Sequence, residues 1–491
     1  MRSNVTSDVA AVATDEVPAE ETLAGEVVAD GATANDAPAG EASEIEPEAK
    51  AEQSVFRRLF PILFIVFIDG MGVTILVPVL PFYAIAFGAG PATVGLLLAS
   101  YALAQMLFSP VLGRLSDRFG RKPVLLTAQV GTFASLLLLG FATALPLIFL
   151  SRILDGITGA NQSTAQSAVS DMTTSKDRAA GLGLVGAATG LGFIAGPLLS
   201  GLALAAAGSD YRAPAFLAAA FSLTSIVLTA RYMRETLATE NRREQGLRGP
   251  GWVRTVVEGI RSRQLGGFYL FALAVQLIFA MFTATFALFT LNRLGFDSLS
   301  NAIFLGLFGV MLVAMQGVFV GRLVRRFGEY RVLAASLVMT TTGFGLASFA
   351  PQQAVPWYSR SELAAELGQH GEAADQLALL PPEAGAGLGA FIFVLFALAP
   401  GPLGYTLQLP TINALLTNRV GPSEYGQTLG VSAVFVGAGT VLGPLLGGYL
   451  FARFAPGTPY LISAVLSVLL LIVLLTLVRN PSSDPNVASS R

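Results

Sequence analysis

Asp69, Arg152 and Asp155 are the ionisable residues that sit inside long apolar runs of this chain. In hydrocarbon an unpaired charge costs about 2.5–3.5 kcal/mol at the centre of a helix, so such a group is kept only with a partner or a task. Two carboxylates and a guanidinium in one desolvated site can take up and release a proton, because burial and an opposite charge pull a titration in opposite directions, and the group then titrates as a unit. Arg152, Asp155, Gly159, Gln162 and Gln166 are spaced alternately three and four apart, which predicts one face of a helix lining a watery cavity that Asp69 meets from another helix. Asp69, Asp155 and Arg152 are therefore the candidates for proton coupling; the alternative is a permanent Asp/Arg pair that fixes helix packing. Tyr101, Gln105, Gln276, Gln316, Tyr405 and Gln408 join Gln162 and Gln166 as candidate substrate-cavity residues, unless each satisfies a neighbouring helix. Phe279, Phe282, Phe286 and Phe289 can add aromatic contacts, and the second half has no charged residue inside its expected spans. That lining favours a small, amphipathic, largely apolar substrate over a sugar or a phosphate.

Other chemistries find little to work with. The chain has no Cys and one His, His370, which leaves no thiolate, no His cluster and no metal site to propose. Neither a nucleophile/base constellation nor a phosphate-binding Gly-Lys-Ser/Thr loop is present, so the expectation is a non-enzyme without cofactors.

The elements that must hold these residues are membrane helices. The composition is 53% hydrophobic and 13% charged, whereas soluble domains carry about 25% charged residues. From Leu59 onward, uncharged stretches recur at the length of one bilayer crossing, about 20 residues. They predict twelve spans: 59–84, 91–112, 123–144, 147–170, 180–206, 213–232, 265–291, 299–320, 332–350, 386–416, 425–450 and 458–478. Counting basic residues orients them: 22 Lys and Arg fall on the side of Arg57 and Arg58, while Arg212, Arg293, Arg360 and Arg453 fall on the other. Both termini are thereby expected in the cytoplasm, with the chain multi-pass in the cell (inner) membrane. The basic run between spans six and seven lacks interleaved aromatics and suits anionic headgroups, not nucleic acid.

Residues 1–55 hold 13 acidic and 2 basic residues and no aromatic one, which reads as a disordered acidic tail over 1–56. The remaining expected domains are a six-helix bundle over 57–235, a cytoplasmic linker over 236–264, a second six-helix bundle over 265–480 and a tail over 481–491. The second bundle carries an outer insertion at 351–385, where Glu362, Glu366, His370, Glu372 and Asp375 read as the solvated face of a short helix.

The two halves repeat. Gly113-Arg114-Leu115-Ser116-Asp117-Arg118-Phe119-Gly120 returns 208 residues later as Gly321-Arg322-Leu323-Val324-Arg325-Arg326-Phe327-Gly328. Gly190 to Gly201 in span five, with Gly196-Pro197, returns 247 residues later as Gly437 to Gly448, with Gly443-Pro444. The insertion accounts for the slip between the two offsets, and such repeats are expected of secondary transporters.

Gly113 to Lys122 fits the loop signature G-x-L-[AS]-D-R-x-G-R-[KR] of the major facilitator superfamily, and on that motif the chain resembles its twelve-span drug/proton antiporters, tetracycline efflux proteins above all. Phe67 to Pro81 and Arg152 to Ala160 look like that family's first- and fourth-span motifs, and Gly192, Gly196, Pro197 and Gly201 resemble its span-five antiporter motif. The resemblance implies an all-α membrane protein of twelve transmembrane helices in two pseudo-symmetric six-helix bundles, exchanging small compounds for protons as a monomeric carrier. Physically, Gly113, Asp117, Arg118, Gly120, Arg121, Lys122 and Asp171 form a plausible cytoplasmic latch, with Arg118 or Arg121 pairing Asp171. Span five and its echo in span eleven are expected to contact across the halves. The acidic residues that tetracycline antiporters carry in spans three and nine, and the His in span eight, have no counterpart here; Ser135 and Leu312 stand near two of those positions. The leading expectation is a proton-coupled exporter. A proton-coupled importer or facilitator and a transport-inactive receptor or scaffold are the alternatives.

Overall fold

The structure, a computed structural model, describes residues 59–159, 161–173, 178–237, 257, 259, 261–262, 265–368, 380–381, 387–421 and 424–479. The acidic tail, most of the linker 236–264, His370, Glu372, Asp375 and the tail 481–491 lie outside the described residues, as does the side chain of Gln162.

Every regular element among the described residues is helical. In chain order they are α1 (59–75), α2 (Leu80–Ala86), α3 (Pro91–Phe119), α4 (Arg121–Gly140), α5 (Leu145–Thr158), α6 (Asn161–Met172), α7 (Arg178–Ala206), α8 (Arg212–Tyr232) and α9 (Gly266–Leu294), then α10 (Ser298–Ala314), α11 (Val320–Phe327), α12 (Glu329–Ser348), α13 (Arg360–Leu367), α14 (Leu388–Leu398), α15 (Pro400–Thr417), α16 (Tyr425–Arg453) and α17 (Thr458–Arg479). Among the described residues, ten helical stretches are long and apolar enough to cross a membrane, counting α1–α2, α10–α11 and α14–α15 as one each. The remaining two expected spans are helical as well, but α5 and α6 have only 14 and 12 residues, and α12 is not among the ten.

The breaks have local causes. Pro78 lies in the turn between α1 and α2 and Pro81 in the first turn of α2, where proline removes donors from a continuing helix. The expected span four is two helices, α5 ending at its cap Gly159, so the proposed continuous face from Arg152 to Gln166 is interrupted. Expected span eight runs on to Phe327 through a five-residue π segment, Met315–Phe319. Gly120 joins α3 to α4 with φ 106° and ψ 158°, and Gly328 joins α11 to α12 with φ 78° and ψ 157°. Only glycine takes that conformation readily, which is why both loops of the repeat keep it.

Small residues set the helix contacts. In α7, Gly192 lies against Met71 and Gly70 of α1, where a Cβ would come within 2.9 Å of the Met71 nitrogen, and Gly196 lies against Thr74. The Thr74 hydroxyl donates to the Gly192 carbonyl at 2.8 Å. In α16 the echo does the same work on α9: Gly439 and Gly443 lie against the backbone of Leu273 and Leu277. Contact between the halves then uses other partners, α7 on α10 and α16 on α3. Gly201 faces Leu299 and Ala302, and Gly448 meets Pro91 and Gly95. The two echoes thus reach the opposite half separately, and most of their glycines are spent inside their own half.

Candidate functional site

The first half holds a partly open cavity of about 210 Å³ lined by Asp69, Gly70 and Thr74 of α1, Tyr101 and Gln105 of α3, Thr132 of α4, Asp155 of α5 and Thr189 of α7, among others. Asp155 is 4% exposed and Arg152 5%, and a guanidinium nitrogen of Arg152 stands 3.1 Å from a carboxylate oxygen of Asp155. Residues three apart on one helix are neighbours, so the pair forms within α5. Arg152 also donates to the Ser151 hydroxyl at 3.3 Å, while its Nη2 is buried without a hydrogen-bond partner among the described residues.

Asp69 shares the cavity but is held differently. The Gln129 amide of α4 donates to its Oδ2 at 3.4 Å and to the Ser225 hydroxyl of α8 at 2.8 Å, so a three-helix polar chain steadies the carboxylate. Among the described residues no Lys or Arg lies within ion-pair distance of Asp69. The two acids therefore have separate partners, one a cation and one an amide. Gln129, buried and central in an apolar helix, is the residue the sequence reading passed over; its signal is an uncharged amide in the run Val124 to Leu139.

The break after α5 belongs to this site. Gln105 donates to the Gly159 carbonyl at 3.0 Å and to the Tyr101 hydroxyl at 3.1 Å, so an amide from α3 satisfies backbone that has left its helix at this depth. Gly156 lets α3 approach, since a Cβ there would collide with the Tyr101 carbonyl.

The second-half candidates are elsewhere. Gln276 of α9 accepts from the Tyr405 hydroxyl at 2.6 Å and donates to Thr440 at 3.0 Å, and Tyr405 stacks on Phe279 with ring centroids 3.7 Å apart. Gln408 is buried and donates to Thr340 at 2.8 Å, tying α15 to α12. Gln316 in the π segment and Gln166 in α6 are exposed, and neither lines the cavity. Of the described cavity candidates, Tyr101 and Gln105 share the cavity with Asp69 and Asp155, whereas Gln276, Tyr405 and Gln408 do not line it.

At the basic face, Arg121 stands between Asp117 at 2.7 Å and Asp171 at 3.0 Å, and donates to Ser116 at 3.1 Å. Arg118 is exposed and lies over its neighbour Phe119, so of the two arginines it is Arg121 that meets Asp171. A Cβ on Gly113 would meet nothing within 4 Å. Glu235, just past α8, accepts from the backbone N–H of Arg121 at 2.8 Å and of Lys122 at 3.2 Å, capping α4 where Gly120 has no side chain to do so. Desolvation opposes its charge, yet the N–H groups of Leu237, Arg121, Lys122 and Thr236 outweigh it and hold the carboxyl below its ordinary value. Lys122 itself donates to the Ala230 carbonyl at 2.8 Å. All these partners belong to the first half.

Residues 62–363 and 377–491 match the family model described as Major Facilitator Superfamily. The chain belongs to the Major Facilitator Superfamily. Within that superfamily it is similar to the tetracycline resistance protein, class B, of Escherichia coli, at 32% identity over 290 residues, 58% of this chain and 71% of that one. It is 27% identical over 405 residues to multidrug resistance protein 2 of Bacillus subtilis strain 168, covering 82% of this chain and 89% of that one. The crystal structure of the human organic anion transporter MFSD10 (TETRAN) shares the fold with a TM-score of 0.59 and 18% identity, over 86% of this chain and 99% of that one. The Major Facilitator Superfamily member described here is thus a multi-span membrane protein whose relatives include tetracycline and multidrug resistance proteins.

Proposed function

We propose that this protein exports small amphipathic compounds from the cell in exchange for protons, by alternating access between two six-helix bundles of a twelve-span monomer. The observation that carries the reading is the pair of acids, Asp69 and Asp155, reaching one cavity from different helices. Asp155 carries its own counter-ion, Arg152, and Asp69 rests on an amide. Proton uptake on either acid changes the charge of a site whose walls are otherwise neutral, and so changes which state of the carrier is favoured. The resistance proteins among the relatives point to export, and the Tyr405–Phe279 stack beside Gln276 supports a flat or apolar substrate. The missing acids of spans three and nine argue against tetracycline as the main cargo.

The repeat supports two bundles: α7 packs on α1 as α16 packs on α9, and Gly120 and Gly328 turn equivalent corners. The excess of Lys and Arg on the face of those corners supports cytoplasmic termini in an inner membrane. Arg121, Asp117 and Asp171 are the latch in this reading, with Glu235 as its anchor.

The test is transport in proteoliposomes with an imposed proton gradient, using ethidium and tetracycline as probes. Export should follow the gradient, stop when an ionophore collapses it, and favour ethidium. Export indifferent to the gradient would remove the coupling.

A further inference from the structure

The insertion between α12 and α14 does more than present a solvated face. Its first segment is fastened to the second half: Gln353 donates to the Arg293 carbonyl and Val355 to the Leu294 carbonyl, each at 2.9 Å, at the end of α9. Ser359 then caps α13 by accepting from the Glu362 N–H at 3.3 Å. The helix lies across the first half, against α2. Leu363 and Leu367, 3% and 0% exposed, enter the same apolar cluster as Phe82, Tyr83 and Tyr211.

Between those leucines and the start of α10, Glu366 is buried at 8% exposure. Its Oε1 accepts from the Tyr211 hydroxyl at 2.9 Å and from the Ser298 hydroxyl at 2.6 Å, with the Ser298 N–H at 3.4 Å. Tyr211 precedes α8 in the first half; Ser298 opens α10 in the second. One carboxylate therefore bridges the halves. Burial raises its carboxyl above the ordinary value, with Asp297 adding to the rise and the bonds from Ser298 and Tyr211 opposing it. The family match omits residues 364–376, so Glu366 lies in a stretch the family model does not cover.

The surroundings agree on what this bridge does. On the same face Asn301 of α10 donates to the Pro78 carbonyl at 3.0 Å, and Gly448 packs on Gly95. Toward the basic face, Gly183 of α7 and Gly426 and Gly430 of α16 would find nothing within 4 Å of a Cβ. Among the described residues, then, the halves touch where the insertion lies, and toward the basic loops these glycines of the helices that join the halves have no close neighbour.

We propose that Glu366 is the pin of the outer gate: it holds Tyr211 of the first half to Ser298 of the second, and its hydrogen bonds must break each time the carrier opens toward the insertion face. The proposal rests on the alternating-access reading given above. It assigns the insertion a part in transport as a positioning element, remote from the cavity.

The chain has no Cys, so spin labels can be placed without removing native thiols. Full-length protein carrying Ala207→Cys and Ala455→Cys, both exposed on the insertion face in different halves, would be studied by pulsed electron spin resonance in lipid nanodiscs, with and without ethidium. The parent should show mainly the short distance, with a longer population that ethidium or a pH step enlarges. Glu366→Ala should raise the ratio of long to short by about tenfold or more, as expected for losing hydrogen bonds to a buried carboxyl. Glu362→Gln, on the exposed side of the same helix, should leave it unchanged. If Glu366→Ala does not fold, Tyr211→Phe carries the test, with a shift of a few-fold in the same direction. A parent that lengthens with ethidium beside variants identical to it would overturn the pin and leave alternating access standing. A parent that never lengthens and does not transport would overturn both.

Discussion

In α4 Gln129 is buried against Asp69, and about one turn further along its counterpart α12 Thr340 is buried against Gln408. The first contact steadies a carboxylate; the second joins two neutral side chains. The same contrast recurs between Asp155 with its buried Arg152 and Gln276 with Tyr405. Two halves that turn the same glycine corners and pack the same small-residue helices have therefore put ionisable chemistry in one and neutral, aromatic contact in the other. Fold symmetry constrains backbones and close approaches, and it leaves the buried polar groups free to diverge. In the proposed account the first half handles protons and the second handles the apolar body of the cargo.

The largest effect expected from breaking this contrast is at the ion pair. Asp155→Ala leaves the Arg152 guanidinium buried without its anion, and loss of one partner of a buried pair costs about 3–5 kcal/mol. Thermal unfolding in detergent should show a drop of many degrees, together with loss of transport. Removal of the Tyr405 hydroxyl is the opposite case. Tyr405→Phe keeps the stack on Phe279 and loses one hydrogen bond to Gln276, so ethidium affinity measured by fluorescence titration should change by a few-fold while proton-driven transport persists.

The two corner glycines sharpen the comparison further. Gly120→Ala forces a side chain into a glycine-only conformation, at about 1–3 kcal/mol, and also drives a Cβ into the Glu235 carboxyl. Gly328→Ala incurs the conformational cost alone, because nothing lies within 4 Å of its Cβ. Melting curves should therefore rank Gly120→Ala below Gly328→Ala. An equal loss would mean that the Glu235 cap contributes nothing.

The smallest effect is the pH dependence of that cap. Its carboxyl is held below its ordinary value, so the stabilisation is present above the unfolded-state value and is lost as pH falls through the depressed one. Hydrogen exchange at the Arg121 and Lys122 amides should stay slow at a pH where exposed glutamates are already half protonated, and speed up only below it. Glu235→Gln should remove the extra protection throughout.

Much of the first half was legible in the sequence because its signals are local. Arg152 and Asp155 are one helical turn apart and stood out as charges in an apolar run. The Gly113 to Lys122 motif fixed the loop and the family. What escaped depends on contacts distant in the chain. Glu235 is one of several acids mixed with arginines after span six, and nothing nearby says that it reaches a helix start more than a hundred positions earlier. Gln129 is a plain amide until Asp69 and Ser225 converge on it. Glu366 read as solvated because helical spacing alone cannot tell which face of a short helix another domain half will cover. The break at Gly159 was likewise hidden, since a glycine fits a continuous helix as well as an interrupted one until Gln105 is seen bonding the freed carbonyl.

The division of labour between the halves can be tested by measuring protons directly. Purified protein in weakly buffered detergent solution would be mixed with ethidium while pH is recorded, for the parent, Asp69→Asn and Gln276→Ala. The account predicts proton release from the parent and from Gln276→Ala as each binds dye, and binding without release from Asp69→Asn. Undiminished release from Asp69→Asn, or its loss in Gln276→Ala with binding intact, would contradict it.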